Sequence, residues 1–209
     1  MRLKPSSPPI RIYAPMVNAL STPITASAWR RLRSVFMTEL NLVIDGAAAK
    51  NIWHYLDDDA PLTDAPSIIT LTRLKAEADS LASRTAPLGV ILHADGLGKT
   101  DQGEDVRELA PYIDQLALVA LHFPIYRNGR GYSAARVLRQ EFNFAGELRA
   151  TGDVLYDQWA MMNRCGINAF ELADNVSLET FQTALGELSG AYQPAADATR
   201  GALWARSGK

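Results

Sequence analysis

From Ser67 to Leu188, short apolar runs alternate with stretches of helical periodicity, and this alternation restricts the chain to few folds. Ile68-Ile69 leads into a helix reaching about Arg84. A strand over Leu88–Leu92 precedes helical sequence from Val106 to Asp114, and a strand over Leu116–Leu121 precedes a helix from Ser133 to Phe142. Leu148–Thr151 is followed by a helix from Val154 to Cys165, and Ile167–Leu172 by one from Leu178 to Leu188. Five strand-then-helix units in succession predict an α/β fold with a mainly parallel sheet and right-handed crossovers. Several of the short strands are apolar on both faces, as expected where helices cover a sheet. A curved, partial TIM-barrel-like arrangement and an open doubly wound sheet both satisfy this pattern, and the run of consecutive short units favours the partial barrel.

Upstream, Leu40–Gly46 reads as a short strand and turn, with Trp53 and Tyr55 on another strand. Asp57-Asp58-Asp59 reads as a solvated loop, because three adjacent acids point in different directions and do not converge on an ion. Residues 1–38 carry Arg2, Lys4, Arg11, Arg30, Arg31 and Arg33 and no acid, a charge of +6 against −8 for the remainder. This Pro- and Ser-rich segment has no apolar run after Arg30-Arg31, so it does not resemble a secretory signal. Three readings fit it: sequence upstream of a start at Met37, which is preferred, a transit-type leader, or a basic arm. The expected organisation is a disordered or mis-assigned extension over 1–37, one α/β domain over 38–194 and a frayed tail over 195–209.

Cys165 is the only cysteine, which excludes an intrachain disulfide, a CxxC pair and an iron–sulfur ligand set. His54, His93 and His122 lack metal-ligand spacing, so no metal site is expected. The acidic main body argues against nucleic acid, and no apolar run is long enough to span a bilayer. These features suit a reducing cytoplasm.

In parallel α/β folds, ligands bind where the carboxyl ends of the strands meet the following loops. Those ends carry His93 and Asp95, then His122, Tyr126, Arg127 and Arg130, then Thr151 and Asp153, then Glu171 and Asp174. Phe123 to Arg136 is a glycine- and arginine-rich loop between a buried strand and a helix, a geometry that aims N–H groups and positive charge at one place. Arg127, Gly129, Arg130, Gly131, Ser133, Thr151 and Asp153 are the candidate anion- or cofactor-binding residues. Gly129-x-Gly131-x-x-Ala134 fits a dinucleotide pattern with Asp153 about twenty residues on, although five residues separate Phe123 from Gly129. The alternative is a turn followed by a Ser133 N-cap. Gly96-Leu97-Gly98-Lys99-Thr100 resembles a P-loop, but His93 stands where its first glycine belongs. His93, His122 and Glu171 are acid–base candidates, with the two histidines facing each other across adjacent strand ends. The competing reading is a pair of partly buried histidines bonded to loop backbone. Asp153 is expected to cap a helix and Gly166 to end one. On the stripe Leu155, Gln158, Met162 and Cys165, the cysteine reads as a buried apolar residue and Gln158 as an amide needing a partner.

Phe123-Pro124 with Gly129-Arg130-Gly131-Tyr132-Ser133-x-Ala135-Arg136-x-Leu138-Arg139 resembles the signature of a bacterial family, domain of unknown function 934. Gly146-Glu147-Leu148-Arg149-Ala150-x-Gly152-Asp153-Val154-Leu155-x-Asp157-Gln158 and Arg164-Cys165-Gly166-x-x-Ala169-Phe170-Glu171-Leu172 extend the likeness from Met37 to Pro194. Asn128 and His122 stand where the family tends to carry acids. The resemblance implies a link to assimilatory sulfite reduction, a label members take largely from genes beside sulfite reductase. Arg127, Arg130, Arg136 and Arg149 suit a sulfite-like oxyanion through charge-assisted hydrogen bonds. Two functions follow as expectations. One is an accessory protein that binds an oxyanion or the sulfite reductase through the Gly129–Ser133 loop. The other is a small oxidoreductase of the same pathway using a nucleotide. The sequence leaves the cofactor unassigned.

Overall fold

The computed structural model describes residues 41–93, 103–173, 176–187 and 195–196. Residues 1–40, the Asp95 and Gly96–Thr100 segment, Asp174 and most of the 195–209 tail lie outside the described residues.

Eight strands form one sheet: β1 (Asn41–Ile44), β2 (Ala47–Ala49), β3 (His54–Tyr55), β4 (Ser67–Thr70), β5 (Leu88–His93), β6 (Leu116–Phe123), β7 (Glu147–Gly152) and β8 (Ala169–Leu172). Their order is β2-β1-β8-β7-β6-β5-β4-β3. Strands β3 to β8 are parallel and lie side by side in chain order, while β1 pairs antiparallel with both β8 and β2. A doubly wound sheet needs a reversal of strand order within its parallel strands. None occurs here, so that alternative fails.

The sheet is open and curled into a half-barrel. Two connections require the curl. Strands β3 and β8 are five positions apart, about 24 Å in a flat sheet, yet the Tyr55 hydroxyl donates to Glu171 Oε1 at 2.7 Å. The edge strands β2 and β3 would be about 34 Å apart when flat, but the chain from Ala49 to His54 reaches at most about 18 Å.

Strand alternation sorts the side chains onto two faces. Ile69, Val90, Val119, Leu148 and Phe170 face outward and form one core with helix residues Leu74, Leu138, Met162 and Phe181. Ile68, Leu118 and Ala120 face the inside of the curl, where Trp53, Tyr55 and Ile91 pack on them.

The helical segments are shorter than their periodicity predicts. Helix α1 (Leu71–Ala76) breaks at Glu77 before α2 (Ala78–Leu81). The expected helix over 106–114 is two 3-10 turns, Val106–Leu109 and Ile113–Gln115. Pro111 lies between them and cannot continue a helix. Helix α3 (Arg130–Arg136) starts three residues before the expected Ser133 cap and passes into a π turn over Val137–Glu141. The Arg130 N–H donates to Asn128 Oδ1 at 3.1 Å, so Asn128, not Ser133, serves the helix start. Helix α4 (Trp159–Arg164) follows a 3-10 turn over Tyr156–Gln158 and ends at Gly166, which has φ +99°. Helix α5 spans Leu178–Gly186. Strand β2 was not expected, and Trp53 lies before β3 rather than on it.

The two ends of the half-barrel differ. At the end where strands begin, Arg139 donates to the carbonyls of Gly166 and Gly146 at 2.9 Å each and to Asn168 Oδ1 at 3.1 Å. At the other end, the strands release the loops that carry most of the candidate residues. Among the described residues, no helix is long and apolar enough to cross a membrane.

Candidate functional site

The register of the parallel strands sets His93 beside His122 and His122 beside Thr151. All three fall on the inner face, at the carboxyl end. The two imidazole rings meet edge to face with centroids 5.2 Å apart, as the sequence reading expected. His122 Nδ1 shares a hydrogen bond of 3.2 Å with Thr151 Oγ1, and the tautomer decides which atom donates. Gly152 makes this approach possible. Its φ is +94°, and a Cβ there would strike the Phe123 carbonyl and the His122 ring. The His93 N–H donates to Glu104 Oε2 at 2.6 Å, which binds the 3-10 segment to this rim.

One step below the rim lies a buried charged cluster. Arg149 is 0% exposed. Its Nη1 donates to Glu171 Oε1 at 3.0 Å and to Asn51 Oδ1 at 3.2 Å. Glu147 Oε1 lies 2.6 Å from both Nε and Nη2, and only Nε has the angle for a hydrogen bond. The sequence reading offered Arg149 to an oxyanion. That assignment is corrected: strand alternation turns Arg149 inward, where two carboxylates already neutralise it and leave no surplus positive charge. Glu171 is likewise committed, to Arg149 and to the Tyr55 hydroxyl. Burial, followed by the Glu171 charge, pushes the Tyr55 phenol well above its ordinary value. Burial alone would lower the Arg149 guanidinium, but Tyr55, Glu147 and Glu171 outweigh it and hold the group above its ordinary value.

The glycine- and arginine-rich loop lies on the outer edge of the same rim. Arg127, Gly129, Arg130, Ser133 and Arg136 are exposed, and the Arg127 guanidinium sits 5.9 Å over the Tyr126 ring. Asp153 is brought to this loop but not as a helix cap. Its Oδ2 accepts from Tyr126 N at 3.0 Å, and its own N–H donates to the Phe123 carbonyl at 2.8 Å. Gln158 finds the partner its position demanded, donating to the Tyr126 carbonyl at 2.7 Å and accepting from Leu155 N at 3.2 Å. The loops after β6 and β7 are thus joined into one surface. Ile125 and Tyr126 on the first loop and Leu155 and Tyr156 on the second are exposed, apolar side chains on the same pair of loops as Arg127.

The glycines of the dinucleotide-like pattern play unequal parts. A Cβ on Gly131 would come closer to the Phe123 ring than two carbons can approach, whereas one on Gly129 would meet nothing within 4 Å. Gly131 therefore serves the contact between helix α3 and strand β6. Tyr132, beside it on the helix, is pushed up to about 12, first by burial and then by Cys165 and Asp157. Cys165 is buried, as its stripe predicted. Asp57, Asp58 and Asp59 form an exposed loop after β3, as read, and Asp58 accepts from the Thr70 hydroxyl at 2.6 Å.

Sequence reasoning missed Asn51, Tyr55, Glu147 and Asn128. The phenol of Tyr55 carried the one available signal, because a tyrosine buried on a strand needs a partner for its hydroxyl.

A family model described as a bacterial protein of unknown function, DUF934, matches residues 99–203, half of the chain. No curated protein matches.

Proposed function

The chain belongs to the bacterial DUF934 family, and from that premise we propose that it is an accessory protein of assimilatory sulfite reduction. It docks on the sulfite reductase, or on an oxyanion that the reductase handles, through the loop carrying Gly129–Ser133. The observation that supports this reading most is the joined surface of the loops after β6 and β7. Exposed apolar side chains beside arginines are what a protein partner recognises, since apolar area supplies adhesion and charge supplies orientation. The fold that goes with this reading is a partial TIM-barrel-like sheet, using the carboxyl ends of its strands for binding. The compartment is the reducing cytoplasm.

Co-purification from the native host tests the reading. Tagged chain is expected to bring down the reductase, and Tyr126→Glu with Arg127→Glu to lose it. Cells lacking the gene are expected to grow poorly on sulfate and normally on sulfide. Normal growth on sulfate would remove the sulfur assignment. Calorimetric titration with sulfite distinguishes an oxyanion ligand from a protein partner.

The rim histidines favour a second reading, a small oxidoreductase of the same pathway. His93 and His122 lie where imidazoles serve proton transfer, next to the hydroxyl of Thr151. Flavin or nicotinamide absorbance in gently purified protein would establish that reading, and a colourless protein that binds the reductase would support the accessory role.

A further inference from the structure

Asn128 is the one asparagine of the chain that precedes a glycine. The pair lies in the connection between strand β6 and helix α3, with Gly129 exposed and Asn128 half-buried. An asparagine carboxamide is open to attack by the main-chain nitrogen of the next residue, and a side chain on that residue obstructs the approach. Glycine, without a Cβ, obstructs it least. Every other asparagine here is followed by alanine, leucine, isoleucine, phenylalanine, arginine or valine.

The local structure favours the attack. The Arg130 N–H donates to Asn128 Oδ1 at 3.1 Å. That bond closes a ring containing both the Asn128 carboxamide carbon and the Gly129 nitrogen, so the two reacting atoms are held within one turn. It also aims a donor at Oδ1, the atom that takes up negative charge when the carbon becomes tetrahedral. The space beside Gly129 is open, since a Cβ there would meet nothing within 4 Å. Its carbonyl accepts from Tyr132 N at 3.2 Å, and among the described residues no hydrogen bond engages its N–H.

We propose that Asn128 is a self-modification site, converting to aspartate and isoaspartate through a succinimide. The Gly129 nitrogen loses its proton to solvent and bonds to the Asn128 carboxamide carbon. The carbon–nitrogen bond of the carboxamide breaks, and ammonia leaves with a proton from solvent. Water then opens the five-membered ring, giving aspartate at the side-chain carbonyl or isoaspartate at the main-chain carbonyl. The sum is one water taken up and one ammonia released, with no oxidant or reductant. Either product sets a carboxylate between Arg127 and Arg130. Isoaspartate also adds a carbon to the main chain and turns the capping carbonyl into part of it, which shifts Gly129 and Arg130 relative to β6. The face assigned above to the reductase thus changes irreversibly with age. That consequence rests on the docking reading, whereas the modification does not.

Purified full chain, kept folded in mildly alkaline buffer made with heavy-oxygen water, tests the proposal. Peptide mapping by mass spectrometry is expected to find an acid carrying heavy oxygen at position 128 before any other asparagine converts. Labelling with an isoaspartyl methyltransferase is expected to find isoaspartate there. Gly129→Ala is expected to slow conversion severalfold with its circular dichroism unchanged, because the added methyl meets open space. In urea, where the Arg130 contact is lost, conversion is expected to be no faster than in the folded chain. An intact Asn128 while another asparagine converts overturns the proposal, as does conversion confined to the unfolded chain. A rate unaffected by Gly129→Ala overturns attack by the Gly129 nitrogen. Faster conversion in urea overturns the part assigned to the Arg130 N–H. Failure to capture the reductase leaves every one of these outcomes unchanged, so the two readings fail separately.

Discussion

Arg127 and Arg149 belong to one half-barrel and have opposite fates. Arg127, four residues beyond the last residue of β6, is exposed over a tyrosine ring. Arg149 sits inside β7, fully buried among Glu147, Glu171, Asn51 and Tyr55. The difference comes from strand parity. Leu148 and Ala150 point to the helices, so Arg149 must point into the curl. Of the guanidinium groups counted together in the sequence, Arg149 therefore holds the fold, whereas Arg127 is presented at the surface.

The largest expected effect is at the buried side of this comparison. Arg149→Leu leaves Glu147 and Glu171 facing each other without a counter-ion. Removing one member of a buried charged cluster typically costs about 3–5 kcal/mol, and urea denaturation should show a loss of that size. Loss of less than about 1 kcal/mol would mean that water reaches the cluster and that the inside and outside arginines do not differ.

A smaller effect separates the two glycines of the loop. Gly131→Ala forces a methyl against the Phe123 ring, and overpacking of this kind typically costs about 1–3 kcal/mol. Gly129→Ala meets open space and should leave the denaturation midpoint nearly unchanged or slightly raised. If instead both substitutions spare stability and abolish nucleotide binding, the glycines serve a ligand and the dinucleotide pattern is restored.

The parallel strands β4 to β8 were legible because apolar runs and helical periodicity are local signals, whereas their order in the sheet is a long-range property that those signals leave open. The rim was legible for the same reason: His93, His122 and Thr151 end three parallel strands, and parallel register aligns strand ends. The cluster around Arg149 was not, since its partners Asn51 and Tyr55 come from a distant segment and meet it only after the sheet curls. Asn51 lies 98 residues from Arg149, and Tyr55 lies 116 from Glu171. Strand β2 is three alanines, which carry no pattern of their own and become a strand by pairing with β1. The Asp153 expectation failed because a neighbouring loop's N–H competed for its carboxylate, a contact that local capping rules do not include.

Tyr55→Phe keeps the ring against Ile68 and Leu118 and removes only the hydroxyl. One hydrogen bond to a carboxylate that retains Arg149 is expected to be worth about 1 kcal/mol. Its pH dependence sharpens the test. The phenol is raised in the folded chain, so its contribution is complete below its ordinary value of 10.0 and declines as pH rises beyond it, because the unfolded phenol ionises first. The wild-type chain should lose stability above that point more steeply than Tyr55→Phe. Parallel curves would show that this phenol is accessible to water, and that the inner face is not closed around Glu171.

The smallest expected effect lies on the outer side. Arg127→Ala removes an exposed guanidinium whose described contact is the Tyr126 ring, an interaction worth about 0.5–1 kcal/mol at an exposed site at most. Exposed substitutions usually stay within about 0.5 kcal/mol, and a shift of that size or less should appear in the denaturation midpoint. This near-silence gives the residue its diagnostic value, because a fall in partner capture by Arg127→Ala then belongs to the surface and not to the fold. A stability loss approaching that of Arg149→Leu would place Arg127 in a buried network, and the contrast between the two arginines would not hold.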